Sequence, residues 1–225
     1  MSSTTTFALI TEGITDQVVI QNILRGFFND PDIDPNPLQP IVNYTDNRQL
    51  TQGGWRYVIE YCKSQQFKSA LDFNDYVIVQ IDTDVSDEKG FDVSKFENGI
   101  ELAPNQLRAK VVEKFISFIG EDFFVKYQNR IIFAICVHSM ECWLLPIYCD
   151  KKSASKIKGC LDALNRCLTK RNEKPISQDK KDPKEYDISK SYLKHKRLME
   201  LYKLNPSLEI FIDELILRFP QTETF

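Results

Sequence analysis

Residues Tyr76 to Ile81 form an apolar run broken only by Gln80, and the run ends on Asp82-Thr83-Asp84. A strand that is apolar at both odd and even positions has no solvent face, so it must lie inside a sheet covered on both sides. Such burial suits a central parallel strand, and parallel strands need crossover helices. The rest of the N-terminal two-thirds supplies them. Phe7-Ala8-Leu9-Ile10 is a short buried-type strand, and Ile14, Val18, Val19, Ile23, Leu24, Phe27 and Phe28 then recur at helical spacing, with Thr15 or Thr11 as a candidate cap. The Asp- and Pro-rich stretch 29–40 reads as a loop and Ile41-Val42-Asn43-Tyr44 as a second strand. Gly53-Gly54 precedes a helix on Trp55, Val58, Ile59 and Cys62. Residues 85–103 read as an acidic loop, and Leu107, Val111, Val112, Phe115, Ile116 and Ile119 as a third helix. Ile131 to Val137 is the last strand, followed directly by a helix over about 140–148 whose Trp143-Leu144-Leu145 reads as core. This alternation predicts an α/β domain with a mainly parallel, Rossmann-like sheet flanked by helices, over residues 1–150.

Residues 151–225 read as a helical extension packing on that core. Ile157, Leu161, Leu164 and Leu168 mark one helix, 172–187 an exposed loop, 192–202 a basic helix, and Asn205-Pro206-Ser207 the start of a last helix. Charge is divided unevenly. Residues 151–203 hold 16 Lys and Arg against 7 Asp and Glu, a net of +9, while the remainder carries −12, for a total of −3. A basic segment beside an acidic body suits a polyanionic partner, although it also suits a segment that merely covers that body. No apolar run approaches membrane-spanning length and the N-terminus is polar, so a soluble, cytoplasmic protein with no membrane contact is expected. The six cysteines contain no CxxC pair and read as core thiols in a reducing compartment. Cys136, His138, Cys142 and Cys149 are badly spaced for structural zinc.

The chemistry collects where strands end. Glu12 and Asp16 follow the first strand, Asp82 and Asp84 the central one, and Ser139 and Glu141 the last. Open parallel sheets place their sites at the carboxyl ends of the strands. Carboxylates converging there repel one another unless a hard cation such as Mg²⁺ neutralises them. Taken singly, each motif is also an ordinary turn: Asp82-x-Asp84 can simply end a strand, and Glu12-Gly13-x-x-Asp16 can be a turn glycine with acids at a helix start. His138 could lie near the site but reads most simply as a structural residue, and His195 could contact phosphate or point to solvent.

The pairing of Ile10-Thr11-Glu12-Gly13-Ile14-Thr15-Asp16 with Val79-Gln80-Ile81-Asp82-Thr83-Asp84 resembles the Toprim domain of topoisomerases, bacterial primases, recombination proteins and OLD-family nucleases. The resemblance covers residues 6–150 as topology and is specific at the motifs. Ser139-Met140-Glu141 followed by Trp143-Leu144-Leu145 is similar to OLD-type nucleases and to small stand-alone Toprim effectors of anti-phage systems, and Lys190 to His195 with Asn205 to Leu208 resembles their later lysine segment.

What the resemblance implies is a Mg²⁺- or Mn²⁺-dependent endonuclease cutting DNA or RNA with two ions. One ion would be held by Glu12, Asp16 and Asp82, the other near Asp84, Ser139 and Glu141. Lys194 or Lys190 would stabilise the charge of the transition state, and Lys190, Lys194, Lys196 and Arg197 would contact nucleic acid. The chain has no GxxxxGK[ST] loop, so ATP-dependent control would come from a separate ATPase partner. A homodimer is compatible with this reading. Two rivals are a non-catalytic Toprim module that binds a partner protein or nucleic acid, and a receiver-like domain phosphorylated on Asp82.

Overall fold

The computed structural model describes residues 5–43, 49–178 and 182–220. Its centre is a four-stranded, all-parallel sheet. In chain order, strand β1 (Phe7–Ile10) leads into helix α1 (Ile14–Phe28), then β2 (Asn36–Gln39), α2 (Trp55–Lys63), α3 (Gln65–Phe73) and the central β3 (Tyr76–Asp82). A two-stranded hairpin, β4 (Phe96–Glu97) and β5 (Ile100–Glu101), precedes α4 (Pro104–Ile119), α5 (Glu121–Tyr127) and β6 (Ile131–Cys136). Then come α6 (Glu141–Tyr148), α7 (Lys151–Ala154), α8 (Cys160–Lys170), a 3₁₀ segment Pro183–Leu193, α9 (His195–Leu201) and α10 (Pro206–Arg218). The strand order is β2-β1-β3-β6. Among the described residues no helix is long and apolar enough to cross a membrane.

The two-residue period of a strand sorts the core into two clusters, one on each face of the sheet. Ala8, Ile10, Val77, Val79, Ile81, Phe133 and Ile135 pack with α2, α3 and α4. Phe7, Leu9, Ile78, Ile132, Ala134 and Cys136 pack with α1, α6, α8 and α10. Gln80 and Asp82 have the parity of Ile78, so they face the second layer. The 151–225 extension contributes Leu164, Leu168, Tyr186, Tyr192, Leu198, Phe211 and Leu215 to that layer's single apolar cluster. Trp143 is fully buried there, stacked on Phe211 at 5.2 Å with its indole N–H donating to Ser207 at 2.8 Å.

Several details depart from the sequence reading. The second strand is Asn36–Gln39, inside the stretch expected to be a loop, and not 41–44, of which Tyr44 lies outside the described residues. Pro37 is tolerated because β2 is an edge strand. Helix α1 is capped by neither threonine: its N-cap is Gly13, and Thr11 donates to the Gly13 carbonyl at 2.9 Å. Asn205 does cap α10, accepting from Leu208. The expected exposed loop 172–187 instead runs into the 3₁₀ segment, with Tyr186 buried.

Four of the six cysteines are paired, Cys142 with Cys160 and Cys149 with Cys167, which corrects their reading as core thiols. The reason is spacing: Cys142 on α6 and Cys149 at its C-cap are seven residues apart, as are Cys160 and Cys167 on α8, two helical turns in each case, so each set shares a face. Each bond closes a loop of sequence separation 18, worth about 3 kcal/mol through the unfolded chain. Cys62 and Cys136 are free and buried.

Candidate functional site

The carboxyl ends of β1, β3 and β6 meet the first turns of α1 and α6. Asp16 lies in the first turn of α1 and Glu141 in the first turn of α6, where the helix dipole favours negative charge. Asp82 ends β3 between them. All three are buried, with relative exposures of 2% for Asp16, 7% for Asp82 and 8% for Glu141.

Two neighbours register their convergence. Burial, and then the charges of Asp82 and Asp16, push the Cys136 thiol well above its ordinary range, with a further contribution from Glu141. Tyr186 is pushed up by burial first, then by Glu141, Asp16 and Asp82. The same three carboxylates thus lie near both groups, one on β6 and one in the extension.

Hydrogen bonds fix several of these side chains. Glu12 Oε1 accepts from the Asp82 backbone N–H at 2.7 Å, and the Glu12 N–H donates to Gln80 Oε1 at 3.1 Å. The Gln80 amide also donates to Asp82 Oδ1 at 2.9 Å. Gln80 thus holds both strand ends in register, which explains a polar residue with no exposure in the central strand. The Tyr186 hydroxyl donates to Glu141 Oε1. Gly13 is needed for close approach, since a Cβ there would stand 3.1 Å from Asp16 Oδ2 and 3.4 Å from Thr15 Oγ1. Thr15 is fully buried and its hydroxyl has no hydrogen-bond partner.

A second group lies along the same edge around Asp84, which is exposed. The Asp84 and Thr83 N–H groups both donate to the His138 carbonyl, at 3.1 and 3.0 Å, and the His138 N–H donates to Thr83 Oγ1 at 2.8 Å. This cross-link holds His138 at φ 66°, the left-handed region. Lys95 donates to the Asp84 carbonyl and pairs with Asp87 at 2.8 Å. Glu101, on the hairpin, pairs with Lys158 and lies 3.8 Å from His138 Nε2. Burial, then Lys158 and Lys95, holds the His138 imidazole below its usual value, opposed by Glu101 and Asp84.

The expected residues are therefore divided differently. Glu12, Asp16 and Asp82 come together, and Glu141 groups with them through Tyr186 and Cys136, whereas Asp84 keeps company with His138 and Lys95. Ser139 is half-buried, its hydroxyl 3.9 Å from Cys142 Sγ.

The expected lysines stand elsewhere. His195 Nδ1 lies 2.9 Å from the Gly26 carbonyl, and a Cβ on Gly26 would meet the Tyr192 carbonyl oxygen at 1.7 Å, so Lys194 sits beside the last turn of α1. Asp16 is ten residues back along that helix, about 15 Å, which is beyond the reach of a lysine side chain. Lys190 pairs with Asp187 at 2.7 Å, Arg197 with Glu200 at 3.4 Å, and Lys194 and Lys196 are exposed. The sequence reading missed Gln80, Lys95 and Tyr186. The interruption of an otherwise apolar strand was the available signal for Gln80. Nothing local distinguished the other two.

The donor set is all oxygen, the kind a hard divalent cation takes. Among the described residues no group of three or more His, Cys, Asp or Glu is placed to hold a metal ion. Magnesium does not need one, since it is commonly held by one or two carboxylates with waters completing its shell. The unpartnered Thr15 hydroxyl and the tight turn at Gly13 fit such a hydrated ion. No family model, curated protein or solved structure matches this chain.

Proposed function

We propose that the protein is a metal-dependent phosphodiester hydrolase of Toprim type, cutting DNA or RNA. The observation that carries this reading is the burial of Asp16, Asp82 and Glu141 at the carboxyl edge of an all-parallel sheet, with Glu12 bonded to the Asp82 backbone and Tyr186 to Glu141. Glu12, Asp16, Asp82 and Glu141 would hold Mg²⁺ or Mn²⁺, with Asp84 and Ser139 beside a second ion. When bound, the ions would neutralise the carboxylates, activate water and stabilise the leaving oxygen.

The chain's own residues do the rest. The Asp82 N–H donates to one oxygen of Glu12 and the Tyr186 hydroxyl to one oxygen of Glu141, which orients both carboxylates at the sheet edge. Lys95, anchored at Asp84, supplies positive charge where a scissile phosphate gains negative charge. This role replaces the one expected of Lys190 or Lys194. The wider resemblance adds an anti-phage role under a separate ATPase partner to the proposal.

The purified protein with Mg²⁺ or Mn²⁺ should degrade DNA or RNA, and Glu12→Ala and Asp82→Ala should abolish the cleavage. Cleavage at the wild-type rate in both variants would sink the assignment. The absence of a finished cage among the described residues favours one rival, a non-catalytic module that binds a partner. Calorimetry showing no Mn²⁺ binding by wild-type protein would select that rival.

A further inference from the structure

Buried tyrosines in this protein have two kinds of partner. The Tyr192 hydroxyl donates to the Trp143 carbonyl and the Tyr148 hydroxyl to the Ile188 carbonyl, at 2.9 Å for the latter. Both bonds satisfy backbone groups inside the helical layer, as core tyrosines commonly do. Tyr186 donates to a carboxylate, that of Glu141. Phenylalanine would fill the same space without a hydroxyl to satisfy, so a tyrosine aimed at a buried acid needs a reason beyond packing.

The backbone of Tyr186 is itself held. Asn22, buried on α1, donates to Ser189 Oγ at 2.6 Å, and Ser189 donates to the Tyr186 carbonyl at 2.7 Å. A connected chain of bonds thus runs from the middle of α1, through the 3₁₀ segment of the extension, to the first turn of α6. Its end points are the two helices that carry Asp16 and Glu141. The Cys142–Cys160 bond ties the residue next to Glu141 to α8 as well. The extension therefore fixes Glu141 from two directions.

We infer that Tyr186 is a positioning residue for the carboxylate cluster: its hydroxyl fixes one oxygen of Glu141 so that the other serves a hydrated divalent cation at the carboxyl edge of the sheet. This rests on the metal-dependent reading above and deepens it, because the basic extension then serves the site through a neutral hydroxyl and not through its lysines. Outer-shell donors of this sort typically contribute ten- to a hundredfold in metal affinity.

The test is Mn²⁺ affinity, read by calorimetry or by the electron paramagnetic resonance of free Mn²⁺, on full-length protein. Tyr186→Phe keeps the ring and should weaken Mn²⁺ binding by about ten- to a hundredfold. Tyr192→Phe removes an equally buried hydroxyl that bonds to the backbone, and should leave Mn²⁺ affinity unchanged. Glu141→Gln should weaken binding, and adding Tyr186→Phe to it should cost nothing further, because the hydroxyl acts through that carboxylate. Should Tyr186→Phe not fold, Ser189→Ala carries the same test by loosening the Tyr186 backbone, with a smaller loss expected in the same direction. Wild-type affinity in Tyr186→Phe, an equal loss in Tyr192→Phe, or full additivity with Glu141→Gln would overturn the inference while leaving the metal reading standing. Wild-type protein that binds no Mn²⁺ would overturn both.

Discussion

The two ends of α1 present opposite chemistry. At its first turn, buried carboxylates from the end of β3 and the first turns of α1 and α6 gather near Tyr186 and Cys136. At its last turn, Lys194 to Arg197 stand on the surface, with Arg197 already paired to Glu200. The segment 151–203 carries a net +9 and the rest of the chain −12. Those totals suggest mutual neutralisation, yet Lys194 stands beside the last turn of α1, about 15 Å along the helix from Asp16. Charge summed over a segment says little about where its charges stand. What the extension delivers to the acidic edge is a tyrosine hydroxyl on Glu141 and Lys158 on Glu101, while Lys95, from the loop after β3, is the lysine placed at Asp84.

The sharpest way to break this contrast is to change one residue at each end. Asp16→Ala should reduce metal-dependent cleavage to background, while Lys194→Ala should leave it near wild type in a cleavage time course. A loss in Lys194→Ala as deep as in Asp16→Ala would return the catalytic lysine to the extension. Next in size is Gly26→Ala. Its Cβ would overlap the Tyr192 carbonyl, so α1 and the extension must move apart, at a cost of about 1–3 kcal/mol or more in denaturant unfolding. Because Tyr186 belongs to the displaced segment, the same variant should also weaken Mn²⁺ binding. Stability loss with unchanged Mn²⁺ affinity would show that the two ends are uncoupled.

The smallest effect concerns pH. His138 is held below its ordinary value, chiefly by burial, so the unfolded chain takes up its proton before the folded protein does. The folded-state pKa lies below the unfolded one, so this contribution is present above about pH 6.5 and is lost as pH falls toward the folded value. The melting temperature should therefore drop between about pH 7 and pH 5, and by less in His138→Asn. Parallel pH profiles for the two proteins would remove His138 from the account.

Much of the fold follows from pattern alone. The apolar runs of β1, β3 and β6 are buried on both faces, and that requirement alone demands a covered parallel sheet. Their ends bring Glu12, Asp16, Asp82 and Glu141 to one edge. The proline-rich β2 was hidden because an edge strand is held by register with β1 and by burial of one side, which propensity does not encode. Tyr186 was hidden because its surroundings are Lys, Asp and Pro, and only the tertiary path over α1 buries it. The lysine motif matched in sequence, but which end of α1 the returning chain crosses is set by the contact of Gly26 with Tyr192, which no local pattern announces. The cysteine pairing follows the twin seven-residue spacing, which the reading of six core thiols did not use.

The central claim is that the buried acids form a cation site. Its most direct test is an anomalous difference map from crystals of the full chain soaked in Mn²⁺. The account predicts a peak at the carboxyl edge of the sheet, bonded to Asp82 and to at least one of Glu12, Asp16 and Glu141. A well-ordered map with no peak there, or with Mn²⁺ only on surface acids such as Asp87 and Glu88, would contradict it.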